Sequence, residues 1–389
     1  MKLFDENLLS KLQKIATPYY YYDLRILDGS LAAIKLATKN LPFCIHYAMK
    51  ANSNTPILQK IKEAGFGVDT VSGNEIEWAI KHGFKGDQIA FAGVGKTDEE
   101  IQIGLQHDIF SFNVESLAEL KVIDALAKYK NKIAKIAIRL NPNVNANTHH
   151  YITTGLEENK FGINLWELET FFDLLPKLKN LRLEGLHFHV GSQIRDLQVF
   201  KNLCNRVNAL QREFNDRNLH INHINVGGGL GINYENPDEE MVPDFKSYFK
   251  IFENYIELKP KQKLHFELGR SIVGQSASLI TKVLYVKNNI KTNFVILDAG
   301  MTELIRPALY QSSHHIQNLS KMNLPLSEKY NVVGPICESS DCFGKAILLP
   351  ESERGDIFAI RSVGAYGQVM SSQYNLRELA KTIYHEDLK

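Results

Sequence analysis

At 389 residues the chain exceeds one simple core and suits two domains, at roughly 100–200 residues each. Lys plus Arg number 45 against 44 Asp plus Glu, a net charge of +1. No long-range field therefore draws nucleic acid or an acidic membrane, and small molecules are the expected partners. Cys44, Cys204, Cys337 and Cys342 are scattered without CxxC spacing, which argues against a disulfide framework and suits a reducing cytoplasm.

The amino-terminal stretch MKLFDENLLSKLQKIATPYYYYDL carries early acids and lacks an apolar core segment with a cleavage site, so it is not expected to be a signal peptide. No apolar run reaches the roughly 18 residues of a membrane span. The aromatic PYYYYDL is expected to add a strand to a later β-rich region. From residue 43 short β-rich runs alternate with stretches of helical period. The strands are expected at FCIHYAM, FGVDTV, QIAFAG, IFSFN, KIAIRLN, LEGLHFHV, HINHINV and KLHFEL. Helices are expected at TPILQKIKEAG, NEIEWAIKHG, DEEIQIGLQHD, ESLAELKVIDALAKY, LWELETFFDLLPKLK, FKNLCNRVNALQREF and DFKSYFKIFENYIEL. In the first of these Thr55 can cap, Pro56 suits the opening turn and Gly65 stops the helix. Eight strands alternating with these helices match an α/β fold of the (β/α)8 TIM-barrel type rather than an open sheet. After residue 270 the texture turns β-rich, at ASLITKVLYVKN, NFVILDAG, KYNVVGPIC and DIFAIRSVGAYG, and predicts a mostly antiparallel β-domain. The expected division is a barrel over 26–268 and a β-domain from 1–25 and 269–389.

Barrel enzymes carry their chemistry at the carboxyl ends of the strands. Here the first strand ends in Lys50, the second carries Asp69 and the fifth carries Arg139. The sixth delivers His189 and then Gly191-Ser192, the seventh Gly227-Gly228-Gly229, and the eighth Glu267 with Gly269-Arg270. Each has a bland alternative. Lys50 reads equally as a solvated loop charge, Asp69 as a loop cap, Arg139 as the partner of a neighbouring carboxylate and Glu267 as a buried salt-bridge partner. His187 and His189 read as satisfied core histidines or as a metal pair, and the glycines as a flexible turn. A single ligand that uses a lysine, a stacking imidazole, a phosphate cradle and a carboxylate is pyridoxal 5'-phosphate. The Lys50 amine can condense with its aldehyde, backbone N–H groups of Gly227 to Gly229 can bind its phosphate, and Glu267 can hold its ring nitrogen protonated.

The ordered motifs YAMKANSN, HFHVGSQI, NVGGGLGI, ELGRSIVG, LIRPALY, GPICESSDCFG and GAYGQVMSSQYN span nearly the whole chain, and with them the sequence resembles the alanine-racemase-fold group of pyridoxal-phosphate decarboxylases. It departs at Leu268, where that group usually has proline between the glutamate and the glycine. The resemblance implies a barrel joined to a β-domain, and a head-to-tail homodimer with shared active sites. By motif, Lys50 carries the cofactor, His189 stacks on it, and Ser192, Gly228, Gly229 and the Gly269-Arg270 backbone bind its phosphate. Glu267 pairs with the ring nitrogen, Tyr366 touches cofactor and substrate, and Cys337 of the partner subunit donates a proton. Asp69 and Arg139 support the cofactor from nearby, and Cys342 stays a structural thiol. Within the group, Arg270 and Arg306 offer forks for a distal carboxylate, Glu338 an anion for a distal ammonium and Tyr310 a hydroxyl, which together fit meso-2,6-diaminopimelate. The implied reaction is loss of its D-centre carboxylate to give L-lysine. A carboxynorspermidine decarboxylase and a racemase of the same fold fit less well, as do a metal-dependent barrel hydrolase and an inactive cofactor-binding relative. The polar NPNVNANTHHYITTGLEENKFG is expected to be a lid.

Overall fold

Clusters of Ile, Val and Phe bounded by turn residues set where strands form, and in the computed structural model, which describes residues 3–143 and 160–388, each expected barrel run carries one. The chain divides into two compact units. One comprises Leu31–Gly231 and Asp244–Gly269, the other Met1–Ser30, Ile232–Pro243 and Arg270–Lys389.

The first strand of the chain, β1 (Tyr19–Tyr22), belongs to the second unit. The first unit is a closed barrel of β2 (Phe43–Ala48), β3 (Gly67–Thr70), β4 (Ile89–Phe91), β5 (Ser111–Val114), β6 (Ala134–Arg139), β7 (Leu181–His187), β8 (His223–Asn225) and β9 (Lys263–Leu268). Neighbours pair in parallel, and β2 closes on β9 with His46 opposite Glu267. Helices follow the strands where side chains satisfy orphan N–H groups at their starts. Ser72, Ser116 and Asp244 each accept from the backbone N–H three residues on, and Thr97 forms a capping box with Glu100. At the other helix end, Gly65 and Gly83 adopt φ near +80°, where a side chain is disfavoured.

One end of the barrel is filled by rings. His46 Nε2 lies 2.8 Å from His265 Nδ1, and Phe110 stacks on His265 at 4.7 Å and on His46 at 5.4 Å. His223 joins the stack, and burial pushes its imidazole down to about 3, so it stays neutral. These rings, at the amino-terminal ends of the strands, line a cavity of about 800 Å³ together with Lys135, Arg182 and Lys263. None of the residues expected to carry chemistry lines it.

The second unit holds β10 (Ala277–Asn288), β11 (Asn293–Leu297), β12 (Ile316–Asn318), β13 (Glu328–Val333), β14 (Cys342–Leu349), β15 (Ile357–Ile360) and β16 (Lys381–Tyr384) besides β1. The order is β12-β15-β10-β11-β13-β14, with β1 lying between β10 and β16. All its pairs are antiparallel except β11 with β13 and β1 with β16. The four tyrosines of β1 are fully buried, and each hydroxyl has a partner: Leu12 O, Glu303 O, His385 Nδ1 and Gln368 Oε1 in turn. The segment Ile232–Pro243, inside the interval expected for the barrel, clusters instead with this unit. Asp238 pairs with Arg361 at 2.8 Å, and the Tyr234 carbonyl accepts from His315 N at 3.1 Å. Among the described residues no helix is long and apolar enough to cross a membrane.

Candidate active site

Barrel closure brings most of the selected residues to the carboxyl ends of the strands. Lys50 sits in a single turn directly after β2, a turn braced by the Tyr47 hydroxyl donating to Asn52 O at 2.8 Å. Its Nζ lies 2.7 Å from Asp69 Oδ2 on β3, with the lysine side chain 40% exposed and Asp69 fully buried. Asp69 is thus no loop cap. Burial and the Glu267 carboxylate raise its pKa above the usual carboxylate range, against the pull of Lys50. Its second oxygen, Oδ1, has no hydrogen-bond partner among the described residues.

Glu267, near the end of β9, is held by three donors from three other strands. Asn113 Nδ2 on β5 lies 2.8 Å and Asn225 Nδ2 on β8 2.7 Å from Oε1, and His187 Nε2 on β7 lies 3.0 Å from Oε2. Burial alone would raise this carboxyl, but His187, Lys50 and His189 hold it well below the usual range, so it is an anion. β7 ends at His187, so His189 lies beyond the strand and the two rings take different partners. His187 serves Glu267, while His189 Nδ1 accepts from Gly228 N at 3.3 Å. The surrounding protein removes most of the water around His189, and with Arg139 and Lys50 nearby its imidazole is pushed down to about 3, hence neutral. Among the described residues no three His, Cys, Asp or Glu side chains are placed to share a metal.

The glycine run is a built loop rather than slack. Gly227 and Gly229 have φ of +66° and +112°, and a Cβ on Gly228 would stand 2.2 Å from Glu267 O. Gly227 N donates to Asn225 Oδ1 at 2.9 Å, so the residue that grips Glu267 also anchors the loop. Gly191, just before Ser192, abuts the same loop: its carbonyl would lie 2.9 Å from a Cβ on Gly229. Gly269 packs on the turn that carries Lys50, where an added Cβ would meet the Ala48 and Ala51 methyls at 3.1 Å. Arg139 takes the partner that its bland reading anticipated, Glu115 Oε1 at 2.8 Å, and covers the Phe161 ring at 4.7 Å. Glu115 in turn accepts from Gly93 N and Gly162 N.

In the second unit the guanidinium groups of Arg270 and Arg306 are buried side by side, and Arg270 lies over the Tyr366 ring at 5.1 Å. Tyr310, which ends the short helix Arg306–Tyr310, is half-buried. Cys337 and Glu338 are exposed, and the Tyr374 hydroxyl donates to Glu338 Oε1 at 2.8 Å. Their loop is shaped by Asp341, which accepts from Ile336 N and Met301 N, both at 2.7 Å. Cys342 is half-buried and burial pushes its thiol up. Of the expected lid, residues 144–159 lie outside the described residues. Sequence reasoning missed Asn113, Asn225, Glu115, Tyr234 and His314 as parts of these clusters. A signal existed for one of them: Asn113 is the lone amide at the end of the mostly apolar run IFSFN.

The family described as pyridoxal-dependent decarboxylase, pyridoxal binding domain, matches residues 30–274. The chain is 53% identical over 381 residues to the diaminopimelate decarboxylase of Bacteroides thetaiotaomicron, covering 98% of each. It is similar to the crystal structure of diaminopimelate decarboxylase from Helicobacter pylori complexed with L-lysine, at TM-score 0.90 and 40% identity, covering 98% of this chain and 94% of that one. The corresponding structure from M. jannaschii in complex with L-lysine aligns at TM-score 0.87 and 32% identity, covering 97% and 90%.

Proposed function

The chain belongs to the pyridoxal-dependent decarboxylases, and from that premise we propose that it decarboxylates meso-2,6-diaminopimelate to L-lysine and carbon dioxide, the closing step of lysine biosynthesis, in the cytoplasm. The cofactor is pyridoxal 5'-phosphate, which when bound supplies an aldehyde for amines and a ring that accepts the electron pair released with carbon dioxide. The residues present fit it. The half-exposed Lys50 amine stands beside a buried carboxyl whose Oδ1 has no hydrogen-bond partner among the described residues, and Glu267 is kept ionised.

In this reading the barrel within 26–268 binds the cofactor, while 1–25 and 269–389 supply substrate and interface residues. Lys50 holds the cofactor, and Asp69 Oδ2, whose affinity for a proton is raised, takes the proton that must leave Nζ before the amine can attack. Glu267 keeps a proton on the ring nitrogen. An ion pair at about 4 Å is worth roughly 4 kcal/mol at an effective dielectric near 20, enough to decide that protonation. Neutral His189 would stack against the cofactor ring without adding charge. Ser192, Gly229 and the Gly269-Arg270 backbone would bind phosphate, with Arg139 as support, and Gly228 N would join them by leaving His189 Nδ1. Arg270, Arg306, Tyr310, Glu338 and Tyr366 receive the distal amino acid, and the Cys337 thiol protonates the carbon that loses the carboxylate. Exposure of Cys337 and Glu338, next to exposed Tyr374, Leu376 and Leu379, supports their completing the site of a second copy in a homodimer.

The observation that carries the substrate choice is the buried pair Arg270 and Arg306, suited to a carboxylate on the end of the substrate that is kept. Product analysis with meso-diaminopimelate, ornithine and carboxynorspermidine in parallel tests it, with L-lysine from the first expected to dominate. Borohydride reduction and digestion should yield one cofactor-modified peptide containing Lys50, and its absence would sink the cofactor linkage.

A further inference from the structure

Within the second unit both arginines donate to one atom. Arg270 Nη1 lies 2.5 Å and Arg306 Nη1 2.8 Å from the hydroxyl oxygen of Tyr234, and their guanidinium groups lie 5.8 Å and 5.2 Å from its ring centre. All three side chains are buried, at 7%, 5% and 8% exposure respectively. Two buried like charges gathered on one oxygen are a poor way to stabilise a fold. They are a good way to hold open a place for an anion. Arg306 is oriented from a second side by His314. The His314 Nδ1–H donates to Arg361 O at 2.8 Å, which leaves Nε2 to accept from Arg306 Nη1 at 3.2 Å, and the ring meets Tyr234 edge-on at 4.8 Å.

We propose that Tyr234 is a specificity-determining positioning residue whose hydroxyl oxygen sets the spacing of Arg270 and Arg306, so that the pair grips the distal carboxylate of the substrate. The inference rests on the proposed function, which requires such a carboxylate. Its chemistry carries a pH signature. Burial alone would raise the Tyr234 phenol, but Arg270 and Arg306 outweigh it and lower it. Once the proton leaves, the phenolate competes with the incoming carboxylate for the same N–H groups, and carboxylate binding then returns one proton from solvent to the Tyr234 oxygen. Arg270, Arg306, His314 and the ring of Tyr366 face this group, with the Arg361–Asp238 pair beyond His314. Burial and Arg306 push His314 down to about 3, so it does not titrate on the alkaline side.

The test uses the cofactor-loaded enzyme, Tyr234→Phe, and Tyr19→Phe as a control that loses a buried hydroxyl bond elsewhere in the unit. KM and kcat are measured for meso-diaminopimelate. Binding of pimelate, which has both carboxylates and no amine to react with the cofactor, is titrated from neutral to alkaline pH. Tyr234→Phe should raise KM and the pimelate Kd about tenfold with a smaller change in kcat, since a hydrogen bond to a charged group is lost. It should also abolish the alkaline weakening seen in wild type, while Tyr19→Phe keeps it. Wild type that turns over meso-diaminopimelate while Tyr234→Phe matches it in KM and pH profile overturns the positioning role and leaves the proposed function intact. Wild type that releases no carbon dioxide overturns the proposed function, and the pimelate titration still decides on Tyr234. Should Tyr234→Phe fail to fold, saturating pimelate at alkaline pH must reduce the phenolate absorbance of wild type; no reduction overturns the proposal.

Discussion

Replacing Asn225 with alanine removes two hydrogen bonds at once, the amide donated to Glu267 Oε1 at 2.7 Å and the acceptor that holds Gly227 N at 2.9 Å. The first goes to a carboxylate and is worth about 1.5–3 kcal/mol, the second to a backbone amide and worth about 1 kcal/mol. Both partners stay buried, so neither is repaid by water, and the unfolding free energy should fall by about 3–4 kcal/mol. Asn113 and His187 still grip Glu267, so the carboxylate remains in place, while the glycine loop loses its anchor and cofactor affinity should fall with stability. Urea unfolding of the cofactor-free protein reads the first effect and cofactor titration the second. A loss below about 0.5 kcal/mol, the range of ordinary surface changes, together with unchanged cofactor affinity, refutes the idea that this amide joins carboxylate and loop. Asn225→Asp sharpens the test: it keeps the acceptor for Gly227 but sets a second carboxylate against Glu267, so cofactor affinity should be retained better than in Asn225→Ala while the unfolding free energy still falls.

Asp69→Asn should fold and bind cofactor yet turn over roughly 10²-fold more slowly in steady-state assays, since it removes the base beside Lys50 Nζ; a change of less than threefold would dismiss that role. Cys337→Ala should load cofactor normally and barely turn over, and mixing it with Lys50→Ala should restore part of the activity through hybrid dimers; mixtures as inactive as their parts would argue against shared sites. Stability should also fall in acid. His189, His223 and His314 have folded-state values of about 3, below the unfolded value near 6.5, so the unfolded chain binds protons that the folded chain refuses. Their contribution is present above about pH 6.5 and is lost as pH drops toward 3, at about 1.4 kcal/mol per pH unit for each ring. Urea midpoints at pH 7.5, 6 and 5 measure it, and a flat series would mean that these rings protonate without unfolding.

Much of this could be read along the chain because the relevant forces are local. Alternating β-rich and helical-period runs placed eight barrel strands, and the strand-end position of Lys50, Glu267 and Gly227 to Gly229 followed from that alternation, whereas Thr55, expected to cap, is the first residue of its helix with Asn54 before it. The aromatic run at Tyr19–Tyr22 likewise declared a strand, although its pairing with both β10 and β16 did not. What folding alone decided were the pairings between distant strands. Glu267 meets Asn225, His187 and Asn113 across 42, 80 and 154 residues, contacts that exist only because the sheet closes and turns these side chains inward together. Ile232–Pro243 fell inside the interval expected for the barrel, yet it carries Tyr234 to Arg270 and Arg306 in the other unit's core. A residue's own propensities govern the element it joins, whereas its partner is chosen by which faces the closed chain can bury together, and no periodicity records that choice.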